Sequence, residues 1–152
     1  YGDNYQCWGI VETQSFLDEG VKELSVYATE SYWTGKSSLL RRYALRIDGF
    51  VSIFAPLGGG EIVTKPVIFD GRQLALNFST SVAGSVAVEI QDAEGKAIEG
   101  YTAADMPEIY GDALERIVAW KSGSDVSALS GKPVRLRFIL KDADVFSFQF
   151  KK

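Results

Sequence analysis

Five aromatic residues beside polar loop segments are the side chains best suited to chemistry in this sequence. An exposed aromatic face stacks on the apolar C–H face of a sugar ring, and nearby polar groups bond to the sugar hydroxyls. The pattern predicts a sugar-binding platform, and packing at the edge of a hydrophobic core is the alternative for each ring. The predicted ligand-binding residues are Tyr32, Trp33, Tyr101, Tyr110 and Trp120, with Asp105 and Asp112 as hydroxyl partners.

Acidic residues cluster around the same aromatics. Oxygen-rich loops can hold calcium, and Asp105, Glu108 and Asp112 are the candidate ligands, although their spacing does not follow the EF-hand pattern. A solvated acidic loop is the alternative. No cofactor is expected beyond this possible structural calcium. Two carboxylates about 5 to 10 Å apart could also split a glycosidic bond, but with 20 acidic residues the spacing selects no pair.

The composition argues against several classes of enzyme. The sequence contains no histidine, which is the usual general base, the middle member of hydrolase triads and the commonest metal ligand. Its single cysteine, Cys7, cannot form an internal disulfide or a thiolate metal cage. The Gly58–Gly60 run lacks the Lys-Ser/Thr pair of a phosphate loop. We therefore expect a non-catalytic protein, with a small glycanase as the enzymatic alternative.

Charge and hydropathy narrow the choice of partners. The net charge of −4 provides no basic field for a nucleic acid, and no apolar run is long enough to span a membrane. The segment "LLRRYALRI" carries Arg41, Arg42 and Arg46, and alternation places Arg42 and Arg46 on one strand face with Arg41 opposite. We expect these arginines to pair with acids on neighbouring strands. An anionic sugar or a partner domain is the alternative.

Apolar residues that alternate with polar ones predict the strands that must position these side chains. About ten short strands separated by glycine-containing turns indicate an antiparallel β-sandwich or barrel. One helical turn is expected in "DVSALSG", and residues 103–117 are expected to form a long loop. The residues predicted to face the core are Leu74, Leu76, Phe78, Val86, Val88, Ile90, Val134, Leu136, Phe138, Leu140, Phe146, Phe148 and Phe150.

Three linked phrases, "RRYALRIDGFVSIFAP", "EIVTKPVIFDGRQLALNFSTSVAGSVAVEIQDAEGKAIEG" and "GDALERIVAWKSGSDVSALSGKPVRLRFILKDADVFSFQF", carry a family resemblance over about residues 38 to 150. The chain resembles the C-terminal β-sandwich module of bacterial five-bladed-propeller glycosidase-like proteins, which are related in architecture to invertases and sialidases. The resemblance implies a secreted or extracytoplasmic protein. We expect a jelly-roll sandwich over 38–152, with approach strands or a remnant of a preceding domain over 1–37 that packs on the sandwich to give one compact unit. No catalytic residue is carried over.

Together, the residues and the resemblance lead to two hypotheses. The first is a carbohydrate-binding module attached to a secreted glycoside hydrolase, which binds a polysaccharide or oligosaccharide through exposed aromatics. The second is an accessory β-sandwich that braces the covalently linked catalytic propeller and binds no sugar. Exposed rings beside a groove favour the first hypothesis, whereas a large exposed apolar surface favours the second.

Overall fold

The computed structural model describes residues 5–7, 9–32, 34–35 and 38–152, and its regular structure is almost entirely β. The chain divides into two units, Tyr1–Phe50 and Val51–Lys152, each with one antiparallel sheet. The predicted fold class, all-β with antiparallel sheets, is confirmed. The described residues contain nine strands, and the jelly-roll type and the strand number of about ten stay predictions.

The sheet of the first unit is built around one central strand, β3 (Lys22–Glu30), which pairs with every other strand of the sheet. Eight consecutive residues of β4 pair with β3, so residues 39–46 belong to the first unit. The two units divide between residues 50 and 51, whereas the sequence predicts a boundary between residues 37 and 38. The strands are β1 (Tyr5–Gln6), β2 (Val11–Gln14), β3 (Lys22–Glu30) and β4 (Leu39–Arg46).

The sheet of the second unit is built on two long antiparallel strands, β7 (Gln73–Asp92) and β9 (Val134–Lys151), which pair along most of their length. The remaining strands flank them: β8 pairs with β7, while β5 and β6 pair with β9. Short 3-10 helices cover Ala103–Asp105 and Ser127–Leu129, and the second confirms the predicted helical turn. The strands are β5 (Ile53–Ala55), β6 (Gly60–Val63), β7 (Gln73–Asp92), β8 (Asp112–Ile117) and β9 (Val134–Lys151).

A bulge takes the place of a predicted turn in the middle of β7. The Ala83-Gly84 pair predicts a turn between two strands, but β7 runs through this point, and its residues 81–84 lie opposite Asp142 alone. A bulge of this kind bends its strand. A Cβ on Gly84 would overlap the carbonyl oxygen of Asp142 and lie 2.8 Å from that of Lys141. Only glycine therefore fits at this bend.

The hydrophobic core contains side chains from one face of β7 on both sides of this bend. Residues of β7 before and after the bulge belong to the same buried cluster, together with their partners on β9. On each side of the bend, every second residue of β7 belongs to this cluster, because the side chains of a strand alternate between its two faces. The predicted core residues confirmed as buried are Leu74, Leu76, Phe78, Val86, Val88, Ile90, Val134, Leu136, Phe138 and Leu140.

The opposite face of β7 is also buried, although alternation predicted that it would face solvent. Asn77, Glu89 and Gln91 are all less than a tenth exposed. The segment after β7 folds back along this strand, and the backbone N–H of Ala103 donates to the Glu89 carboxylate at 3.2 Å. Burial raises the pKa of Glu89, but hydrogen bonds from Gln91, Ala103 and Arg137 outweigh it and leave the pKa below its ordinary value.

Residues 103–117 are a loop only in part. The prediction of a long loop is wrong for the second half of this segment, because Asp112–Ile117 forms β8. β8 pairs with β7, with Ala75 opposite Ile117 and Ser79 opposite Asp112. Local sequence does not predict β8, because this strand depends on hydrogen bonds with β7, which is distant in the sequence.

Candidate functional site

Trp120 and Tyr101, two of the predicted stacking rings, pack together at the core. Trp120 is only 3% exposed, and its indole N–H donates to the carbonyl oxygen of Val88 at 3.1 Å. The half-buried Tyr101 ring meets it edge-on with 5.3 Å between centroids, and the Tyr101 hydroxyl donates to the Asp125 carbonyl. The platform prediction is therefore wrong for Trp120, because a buried ring offers no face to a sugar.

The other predicted rings differ in exposure and belong to different units. Tyr110, in the second unit, is 75% exposed. Tyr32, in the first unit, is 40% exposed and meets Tyr5 edge-on with 5.2 Å between ring centroids. Trp33 lies outside the described residues. Tyr110 is thus the one predicted ring of the second unit that keeps an open aromatic face.

The three predicted calcium ligands have different surroundings and do not meet at one site. The Asp105 carboxylate accepts a hydrogen bond from the Thr102 hydroxyl at 2.8 Å and pairs with the Lys121 ammonium at 3.5 Å. The Thr102 hydrogen bond, followed by the Lys121 charge, lowers the pKa of Asp105. Asp112 begins β8, and Glu108 borders a polar groove. Within the described ranges, no three acidic or cysteine side chains form a metal site, so the predicted calcium set is not assembled.

The polar groove beside Glu108 is an open depression of about 430 Å³ in the second unit. A tight turn forms one side of it, where the Gly59 N–H bonds to the Pro56 carbonyl and Gly59 has a φ of 83°. Charges of both signs are available, which suits a ligand rich in hydroxyl groups. The glycine, polar and charged residues that line it are Gly58, Gly59, Gly60, Glu61, Ser85, Glu108 and Lys141.

The first unit presents a different surface, because its described residues form no buried apolar core. Ser25 is the only buried residue among those that the structure describes in this unit. Leu39 and Leu40 lie on opposite faces of β4 and are both exposed. Sequence reasoning did not single these leucines out, although adjacent leucines in a strand must place one side chain on each face. The other large exposed apolar residues of the unit are Tyr5, Ile10, Val11, Phe16, Leu17, Tyr32, Tyr43 and Phe50.

A polar cluster around Arg42 lies on one face of this sheet and extends from β4 across β3 to β2. Its guanidinium donates to the Ser25 hydroxyl at 2.7 Å and the Thr13 hydroxyl at 2.8 Å, and it pairs with Glu23. The strand register puts Arg42 and Arg46 on the same face, as predicted. The predicted pairing of these arginines with acids on a neighbouring strand is confirmed for Arg42.

Arg41 pairs with an acid on the opposite face of the same sheet. Its Nε lies 2.6 Å from a Glu30 carboxylate oxygen, which also accepts a hydrogen bond from the Tyr43 hydroxyl at 2.6 Å. The Tyr43 hydrogen bond and then the Arg41 guanidinium lower the pKa of Glu30. Each face of the first sheet therefore combines a paired arginine with exposed apolar side chains.

Comparisons with known proteins identify no relative of this chain. No family model, curated protein or solved structure matches it. In the described part of the chain, no helix has both the length and the apolar character needed to cross a membrane.

Proposed function

We propose that this chain is a non-catalytic accessory domain whose first unit binds another protein domain. The observation that carries the proposal is the burial of Ser25 alone among the described residues of a unit with many exposed apolar side chains. A small sheet needs a covered hydrophobic face to offset the entropy lost on folding. A partner that covers this sheet supplies that missing face.

The surface of the first unit indicates the chemistry of the partner. Leu39 and Tyr43 lie on one face of β4, next to the Arg41–Glu30 ion pair, and Leu40 lies on the other. An apolar patch with a paired charge at its side suits an apolar protein surface with polar groups at its rim. Within the family resemblance, the partner is the covalently linked catalytic propeller of a secreted bacterial glycosidase.

Hydrogen–deuterium exchange of the whole chain tests the proposal without knowledge of the partner. We expect the backbone amides of Lys22–Glu30 in β3 to exchange at least about a hundredfold faster than those of Val86–Ile90 in β7. The physical reason is that local opening of β3 exposes little additional apolar surface. Equal protection of the two strands would show that the first unit is stable without a partner, which contradicts the proposal.

A second measurement adds a recombinant five-bladed glycosidase propeller to the chain. We expect β3 and β4 to gain protection, and the double variant Leu39→Ser/Leu40→Ser to lose this gain because it removes apolar contact. Phe54→Ser is the matched control, since Phe54 is equally apolar, 61% exposed and located in the second unit. Loss of the gain in both variants to the same extent would argue against docking through the first unit.

Carbohydrate binding is the second candidate function, and one observation favours it. Tyr110 exposes 75% of its surface two residues after Glu108, which lines the polar groove of the second unit. Affinity electrophoresis in gels that contain plant or microbial polysaccharides tests this function. We expect retardation of the wild type, its loss in Tyr110→Ala, and its retention in Tyr32→Ala. No retardation of the wild type in any polysaccharide would eliminate this candidate.

A further inference from the structure

An apolar cleft of about 400 Å³ opens into the core of the second unit between the short strands β5 and β6. Its floor contains Phe138 and Val145, which are 2% and 6% exposed. Ile53 of β5 and Ile62 of β6 also line it, together with Phe148 of β9. The cleft is therefore a direct opening of the hydrophobic core to the surface.

The strand register explains why this side of the core stays open. Ile53 pairs with Val145 and Ile62 pairs with Phe138, so both edge strands direct these side chains to the core side of the sheet. β5 and β6 have only three and four residues and are separated by the turn that contains Gly59. Such short strands do not close the space between them.

Phe148 marks the rim of the cleft. Alternation along the strand predicts Phe146, Phe148 and Phe150 in the core, but Phe148 is 37% exposed. It pairs with the buried Leu76 and therefore faces the core side, where its ring centroid lies 5.7 Å from that of Phe138. Phe150 is covered by a stacked ring, Phe69, at 3.7 Å. Phe148 thus extends the aromatic core to the surface.

The lining of the cleft indicates the class of ligand. Every lining residue is uncharged, and the polar ones are Ser52, Thr64 and Ser147. The Ser52 hydroxyl donates to Asp144 at 2.6 Å, and the Thr64 hydroxyl accepts the Leu136 N–H at 3.0 Å. A charged ligand group would lose its hydration here without a charged partner. An uncharged apolar group has no such hydration to lose, and it gains contact with the rings of Phe138, Phe146 and Phe148.

We propose that this cleft binds a small uncharged molecule through an aromatic or branched aliphatic group. The volume lies in the range of about 300 to 1,000 Å³ that is typical of small-molecule sites. The closed floor favours insertion of one compact group over a flat contact with a macromolecule. This site is separate from the proposed docking function, because all its lining residues belong to the second unit.

Fluorescence titration of the full chain with N-phenyl-1-naphthylamine, a neutral apolar probe, tests this proposal. We expect saturable binding at one site and at least about tenfold weaker affinity for Ile53→Asp, which places a carboxylate at the rim. The matched control is Phe54→Asp, because Phe54 is the next residue of β5 and does not line the cleft. We expect benzyl alcohol to displace the probe and glucose to leave it bound.

Nuclear magnetic resonance spectra of each variant show whether it is folded and where the probe binds. We expect the probe to shift the amide signals of Ile62, Val145 and Phe148 and to leave those of β3 unchanged. Should Ile53→Asp fail to fold, Phe148→Ala provides the same test with a smaller, several-fold loss of affinity. Unchanged affinity in the folded cleft variants, or equal losses in Ile53→Asp and Phe54→Asp, would overturn the proposal. Neither outcome bears on exchange in the first unit.

Discussion

The two units solve the same problem of β-sheet stability in different ways. In the second unit, alternating apolar residues of β7 and β9 share one face, and the bend at Gly84 brings both parts of that face into one core. In the first unit, apolar residues are distributed over both faces, and none of those that the structure describes is fully buried. Strand pairing alone therefore does not make a self-sufficient unit, because stability comes mainly from the apolar surface that a sheet removes from water.

Polar groups illustrate the same contrast. Glu89 is buried in the second unit and accepts hydrogen bonds from Gln91, Ala103 and Arg137, beside an extensive apolar core. Arg42, in contrast, lies on β4, and its guanidinium reaches across one face of the first sheet to Ser25 and Glu23 of β3. No buried apolar cluster of the described residues accompanies it. Half-exposed ion pairs contribute about 0 to 1 kcal/mol, which is far less than a buried phenylalanine contributes.

The largest expected effect comes from equivalent truncations in the two units. We expect Phe78→Ala to lower the free energy of unfolding by about 3 to 5 kcal/mol, because Phe78 is 1% exposed in the core. We expect Leu40→Ala to change it by less than about 0.5 kcal/mol, since Leu40 remains exposed. Urea unfolding followed by circular dichroism measures both. A cost above about 2 kcal/mol for Leu40→Ala would mean that the first unit has a core of its own.

A smaller effect is expected for Trp120→Phe, which separates packing from ligand binding. The variant keeps an aromatic ring but removes the indole N–H that bonds to the Val88 carbonyl. We expect a loss of about 1 to 3 kcal/mol in the free energy of unfolding, because a buried acceptor loses its partner. Urea unfolding measures the loss, and affinity electrophoresis should show unchanged glycan retardation. A loss of retardation with an unchanged free energy of unfolding would instead indicate that Trp120 contacts the glycan.

The smallest effect is expected from the exposed Asp125 of the second unit. Hydrogen bonds from the Ser127 hydroxyl and backbone, followed by the Arg72 guanidinium, lower the pKa of Asp125 from 3.8 to about 2. A lowered pKa in the folded state stabilises the fold above the unfolded value, and this stabilisation is lost as the pH falls through the folded value. We therefore expect Asp125→Asn to be slightly less stable than the wild type above about pH 4 and equal to it below about pH 2.

Two measurements check the Asp125 prediction. Urea midpoints of the wild type and Asp125→Asn should differ at neutral pH and converge in acid. A carbon-13 titration of the Asp125 carboxyl should give a midpoint near the lowered pKa of about 2. A titration midpoint at the ordinary value, or a gap between the two proteins that widens in acid, would show that the three hydrogen bonds do not persist in solution.

Much of the second unit could be predicted from the sequence. The period of two in residues 74–78, 86–90 and 134–140 gave the right core positions, because alternation along a strand is a local property. The continuous course of β7 could not be predicted, since Ala83-Gly84 has the composition of a turn. The bulge forms there because pairing with β9 continues on both sides of it.

The candidate sites were predicted less well than the strands. Trp120 and Tyr110 both adjoin polar loop residues, yet one is buried and the other is exposed. Local sequence does not separate them, because the burial of Trp120 requires the Val88 carbonyl, which is distant in the sequence. Phe148 differs in the opposite direction, because alternation predicts that it is buried and the structure leaves it partly exposed. The strands β5 and β6 are too short to cover it.

The amino-acid order alone is enough to predict the strand character of most of the chain, the inward faces of β7 and β9, and the opposite orientations of Arg41 and Arg42. These follow from backbone geometry, in which neighbouring side chains point to opposite faces whatever lies around them. Long-range packing, in contrast, sets which aromatic rings are buried and where the core opens into a cleft, and it leaves the described part of the first sheet without a core. Those properties depend on which distant segments cover each face, and burial is set by that coverage and not by local pattern.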